Sequence, residues 1–155
     1  MMGIEIRRVP PGWIHPEDDN GNYIPMYDED YESAGLRWID QLMAWERGEH
    51  PDREKAAEAG CRFYWDYIAP PPDERICRPK FEAEPTCYQL YENSSEGTPI
   101  SPVFTSEEEL QQYLRDRGHS EKAVRMFIEK GFAPSMYVSK DGRCFEGIDV
   151  WDELA

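Results

Sequence analysis

Apolar positions recur at steps of three and four early in the chain: Tyr31, Ala34, Trp38, Leu42 and Trp45, with Ile39 widening the same face. That period predicts an amphipathic helix, capped by Asp28 or Asp30, running to about Arg47 and stopped by Gly48. A shorter helix is expected over 52–59, ahead of Gly60. The pattern then changes. Cys61-Arg62-Phe63-Tyr64-Trp65-Asp66-Tyr67-Ile68 is dense in aromatics, which favours a strand, with a continued helix as the alternative. Thr86-Cys87-Tyr88-Gln89-Leu90-Tyr91 reads as a strand, and 93–102 as a loop rich in Gly, Pro and Ser.

Further on, Thr105 and Ser106 stand three residues before Glu108 and Glu109, the pattern of a capping box. The helix it opens carries Leu110, Tyr113 and Leu114 and stops at Gly118. Ser120 caps another, with Val124, Phe127 and Ile128, stopped by Gly131. Two short strands, 135–139 and 144–146, flank Lys140-Asp141-Gly142-Arg143, whose central Asp-Gly marks a hairpin turn. The tail, 148–154, is expected to be a short helix or irregular.

Residues 1–27 are expected to form an extended, Pro-rich arm. Ile4-Glu5-Ile6 could be a short edge strand; Val9-Pro10-Pro11-Gly12-Trp13 and His15-Pro16 resist helix, and Asp18-Asp19-Asn20-Gly21 is a turn. The sum is an α+β fold: one small domain, about four helices packed on a short antiparallel sheet over 28–155, with the arm at 1–27.

Composition narrows the role. The chain has 155 residues, near the usual size of one domain, and 13% of them are aromatic, which supports a folded core despite a modest hydrophobic fraction of 39%. Thirty-two acids against 17 bases give a net charge of -15. That balance disfavours direct binding to nucleic acid or to anionic membranes and steers the chain toward partners with a basic surface. It fits either a merely solubilising surface or a mimic of nucleic-acid charge. The first residues contain no apolar run of a secretory signal, and no stretch is apolar enough to span a bilayer. The four cysteines (Cys61, Cys77, Cys87, Cys144) form no CxxC pair, so reduced thiols in a cytoplasm are expected.

Candidate chemistry is sparse. Aligning Gly21 with the invariant glycine of a calcium loop puts Pro16 at the first ligand and Tyr27 at the closing glutamate, so that reading fails. His15, His50 and His119 lack zinc-ligand spacing among the cysteines. No nucleophile elbow surrounds Ser94, Ser95, Ser101 or Ser135, and Cys87 and Cys144 are expected to point into a core. The helices at 106–117 and 121–130 superficially resemble a helix-turn-helix. Three glutamates open the first of them and would repel a phosphate backbone, so a packed hairpin is the better reading. No catalytic residue, metal site or cofactor is assigned.

Two segments stand out for contact with a ligand or partner. Trp13 and Tyr23, with His15 between them, lie in the arm, where aromatic rings either pin the arm down or anchor a partner. Ser95-Glu96-Gly97-Thr98-Pro99 can curl into an anion-binding nest, and the 94–104 loop, stiffened by Pro99 and Pro102, lies between a strand and a capped helix. The candidate contact set is therefore Trp13, His15, Tyr23, Ser95, Gly97, Thr98 and Ser101.

Several segments carry a resemblance: Val9-Pro10-Pro11-Gly12-Trp13 with His15-Pro16, Tyr27-Asp28-Glu29-Asp30-Tyr31, Glu96-Gly97-Thr98-Pro99-Ile100-Ser101-Pro102-Val103-Phe104 and Ala133-Pro134-Ser135-Met136. Across most of its length the chain resembles small acidic proteins encoded in bacteriophage and prophage genomes. The resemblance implies a bacterial host cytoplasm and an accessory role outside the virion, and it transfers no functional residue. The expectation is a protein that binds a host macromolecule, plausibly one of the bacterial defence or nucleic-acid machineries. The alternatives are a small-ligand binder or enzyme at the 94–104 loop, with Tyr88 and Tyr91 near it, and a virion or assembly component.

Overall fold

The computed structural model describes residues 3–94 and 97–154. Along the chain run β1 (Gly3–Val9), β2 (Tyr27–Asp30), α1 (Tyr31–Glu46), α2 (Arg53–Glu58), α3 (Tyr64–Tyr67), β3 (Cys77–Arg78) and β4 (Cys87–Glu92). Then follow β5 (Thr98–Pro99), α4 (Glu107–Asp116), α5 (Glu121–Lys130), β6 (Phe132–Pro134), β7 (Met136–Val138), β8 (Cys144–Glu146) and α6 (Val150–Leu154). Helices and antiparallel strands are mixed in the α+β manner. Their contacts group into two compact units, Met1–Met26 with Phe81–Ala155, and Tyr27–Lys80.

The first unit is built on a four-stranded sheet in the order β5-β4-β1-β6. β1 pairs antiparallel with β4, from Ile4 opposite Glu92 to Val9 opposite Cys87, and with β6 on its other side. The expected edge strand is therefore an inner strand of the sheet. Gly3 makes the second pairing possible, because a Cβ there would lie 2.2 Å from the Ala133 carbonyl oxygen.

Side chains alternate across a strand. Ile4, Ile6, Tyr88 and Leu90 point to one face, where α4 contributes Leu110 and Leu114, and α5 contributes Ala123, Val124 and Phe127. Ser106 and Ser120 cap these helices as expected, accepting from the Glu109 and Ala123 N–H groups at 3.2 and 3.0 Å. Gly131 ends α5 in the left-handed region at φ 78°. Within α6, Trp151 closes the end of this core, donating from Nε1 to the Phe132 carbonyl at 2.9 Å. β7 and β8 form the expected hairpin, with Gly142 at φ 83° in its turn. Cys144, expected in a core, is exposed there, whereas Cys87 is buried.

Glu5, Arg7, Val9, Cys87, Gln89 and Tyr91 occupy the other face of the sheet. Residues 10–26 run across that face: Trp13 and His15 meet Tyr91, and Arg7 donates to the Met26 carbonyl at 2.5 Å. The segment read as an arm is thus the second covering layer of its own sheet. Its turn forms as expected, with Asp18 accepting from the Asn20 and Asn22 N–H groups at 2.8 and 2.9 Å.

The second unit folds around a small aromatic core. Trp45, Ala56 and Tyr64 are buried, with Trp38, Leu42 and Cys61 against them. Asp30 caps α1, accepting from Ser33 N–H at 2.8 Å. Trp38 and Trp45 donate to the Ala69 and Arg62 carbonyls at 3.0 and 3.3 Å, which satisfies both indoles. Two expectations fail in this unit. The 61–68 segment contains the short helix α3 instead of a strand, because Tyr64 is drawn into the core against Trp38 and Trp45. Ile39 points to solvent instead of widening the buried face.

Candidate functional site

Residues of the 13–23 and 99–103 segments, with Gln89 of β4 and with Tyr113 and Arg117 at the C-terminal end of α4, enclose an open cleft of about 610 Å³ in the first unit. Three of its lining residues, Trp13, His15 and Gln89, form a floor and are hydrogen-bonded to the buried Tyr91 hydroxyl behind them. Trp13 Nε1–H donates to that oxygen at 3.1 Å, and His15 Nδ1 lies 3.0 Å from it. The opposite ring nitrogen, Nε2, lies 2.7 Å from the Ile24 carbonyl. A carbonyl can only accept, so Nε2 carries a proton; the one proton of the Tyr91 hydroxyl is then shared between two acceptors, the Nδ1 of the neutral imidazole and the Oε1 of Gln89. Burial lowers the pKa of His15 below its ordinary 6.5, the Ile24 bond opposes this, and the positive charge of Arg7 adds to the lowering. The neutral form therefore prevails at neutral pH.

Arg7 props the same cluster from beneath. Its guanidinium lies 4.3 Å from the Tyr91 ring centroid and is paired with Glu5 at 2.7 Å. Gln89 continues the cluster toward the cleft wall: its Oε1 lies 3.3 Å from the Tyr91 oxygen, and its Nε2 donates to the Ser101 carbonyl at 2.9 Å. The Ser101 hydroxyl accepts from Leu90 N–H at 2.9 Å and donates to the Pro102 carbonyl at 2.8 Å. With its proton on a carbonyl, this hydroxyl is a bracket between β4 and the loop, and among the described residues no base contacts it.

Four of the seven expected contact residues, Trp13, His15, Tyr23 and Ser101, line this one cleft. Gly97 and Thr98 do not. Gly97 has φ 118°, and a Cβ on it would lie 2.1 Å from the Met26 carbonyl oxygen and 2.3 Å from the Arg7 guanidinium, so its role is to let those groups pass. The Thr98 hydroxyl donates to Glu92 at 2.6 Å. Ser95, and with it the expected anion nest, lies outside the described residues.

The rim differs in character from the floor. Ile14 is 84% exposed, Tyr23 48% and Ile100 44%. Arg117 stacks on Tyr113 at 3.9 Å from its centroid and gives the cleft one cation. Ile14 and Arg117 were missed from sequence. A Tyr and an Arg four apart on a helix was a legible signal for the second; an isoleucine between two pinned aromatic residues gave none.

Among the described residues no three His, Cys, Asp or Glu side chains are grouped to hold a metal ion. His50 accepts from Asp52 N–H at 3.1 Å, and His119 pairs with Asp149 at 2.7 Å. No helix among the described residues is long and apolar enough to cross a membrane. Comparison with protein-family models, curated proteins and solved structures finds no match to this chain.

Proposed function

We propose that this protein is a binding module of the phage accessory kind, which docks a host protein with a basic surface through the cleft over Tyr91. One observation carries the reading: apolar side chains left in solvent at Ile14, Tyr23 and Ile100 ring a floor whose polar groups already satisfy one another. A floor in that state offers shape and apolar contact in place of chemistry, and Tyr23 and Arg117 in the cleft lining are of the residue types that dominate interface hot spots. The net charge of -15 supplies long-range attraction for a basic partner. The bacterial host setting rests on the resemblance of the segments named above.

The test is affinity capture from bacterial lysate at low and high salt, with the unmodified protein beside an Ile14→Asp variant. Ile14 is exposed, so the substitution leaves the fold intact. A host protein held by the unmodified chain, lost from the variant and weakened by salt supports the proposal. Equal retention by both chains sinks it. A second reading, a small-ligand binder, is favoured by the concavity lined by Pro99, Ile100 and Ser101; it expects a metabolite fraction to raise the melting temperature with no protein retained.

A further inference from the structure

α1 has two apolar faces, and only one is used. Ala34, Trp38, Leu42 and Trp45 turn inward, while Leu36 is 59%, Ile39 49% and Met43 50% exposed. At ~100° per residue, Glu32, Leu36, Ile39, Met43 and Arg47 fall on one arc of about 80°. The stripe is apolar in its middle, acidic in the first turn at Glu32 and basic at the C-cap residue, Arg47. Its charged ends and its apolar ends share one midpoint, between Ile39 and Asp40. A stripe of that kind is complementary to itself when reversed.

We propose that α1 pairs antiparallel with α1 of a second copy of this chain about a two-fold axis at that midpoint. Leu36 of each copy then lies against Met43 of the other, and the two Ile39 side chains meet at the axis. Glu32 of each copy faces Arg47 of the other, giving two ion pairs. Both charged groups can enter such pairs: Glu32 is exposed, and among the described residues Arg47 is paired with the exposed Glu49 at 3.0 Å, an intramolecular surface pair of little strength. An isologous contact is the commonest way identical chains associate, and it closes on itself without forming fibres. Three apolar residues a side make a small interface. The two Asp40 carboxylates come together beside the axis and weaken it further, so the dimer is transient.

Sedimentation of the full chain over a concentration series tests the pairing. The expected result is a mass that moves from 18.2 kDa toward twice that value as concentration rises. Glu32→Arg alone and Arg47→Glu alone each weaken the association about tenfold, since each creates two like-charge contacts. An equimolar mixture of those two variants restores it, because each then supplies the charge that the other lacks. Asp40→Asn tightens it. Restoration in the mixture separates this geometry from a fold defect and from any other occupant of the stripe. A chain that stays at 18.2 kDa up to about 1 mM overturns the proposal, as does a dimer that both charge variants leave unchanged.

Discussion

At the residue scale, a few side chains hold much of the first unit together. Gly97→Ala places a methyl where the Arg7 guanidinium and the Met26 carbonyl lie, at a φ that L residues avoid. Strain and overpacking each cost about 1–3 kcal/mol, so the expected loss is roughly 2–5 kcal/mol, read from urea midpoints. His15 gives a pH signature. Its folded-state pKa lies below the ordinary 6.5, so as pH falls the unfolded chain takes up the proton first. Stability therefore declines from pH 6.5 down to the folded value and then levels off, and it is unaffected above 6.5. In His15→Gln that decline disappears. The carboxylates held low begin to act only near 3.8 for Asp18 and Asp30 and 4.5 for Glu29, well below the 6.5 at which the His15 decline begins. The thiols give a third check: Cys144, exposed, reacts with a disulfide reagent in the native state. Cys77 resists, because burial, and then the negative charges of Glu29 and Asp73, push its pKa up.

At the element scale, α4 and α5 each depend on a serine cap. Ser106→Ala and Ser120→Ala are each expected to cost about 1 kcal/mol in thermal or urea unfolding. Leu110→Ala, which empties a fully buried site between α4 and the sheet, costs about 2–5 kcal/mol. These elements were legible in the sequence, as was the Asp141-Gly142 turn, because caps, stops and turns are written in residues adjacent along the chain. β1 was not legible as an inner strand, since its partners lie some 80 and 130 positions away and no local pattern names them. The buried place of Arg7 was not legible, because nothing nearby in sequence announces Tyr91 above it. The same limit governed the site. Trp13, Tyr23 and Ser101 were identifiable by residue type and loop context, while the convergence of two separate segments on one hydroxyl was set by the pairing of β1 with β4. For 61–68, aromatic content argued for a strand, and the burial of Tyr64 overrode it.

At the scale of the whole molecule, the two units differ in the depth of their cores. Among the described residues one has ten buried residues in a continuous cluster, the other three. Hydrogen exchange followed by mass spectrometry should show the amides of β1, β4, α4 and α5 protected longest. Those of α2 and α3 should exchange first, since local opening free energy follows buried contacts. Uniform protection across both units would contradict this.

The place of β1 at the centre of its sheet has a consequence for biosynthesis. This strand leaves the ribosome well before either neighbour, with β4 ending at Glu92 and β6 at Pro134. Both of its edges stay without their native partners until most of the chain has been made. The intervening segment, Tyr27–Lys80, is contiguous and can condense while translation continues. A stalled or truncated translation product therefore presents a formed insert beside a bare strand, the kind of species that chaperones recognise and that aggregates when they are scarce.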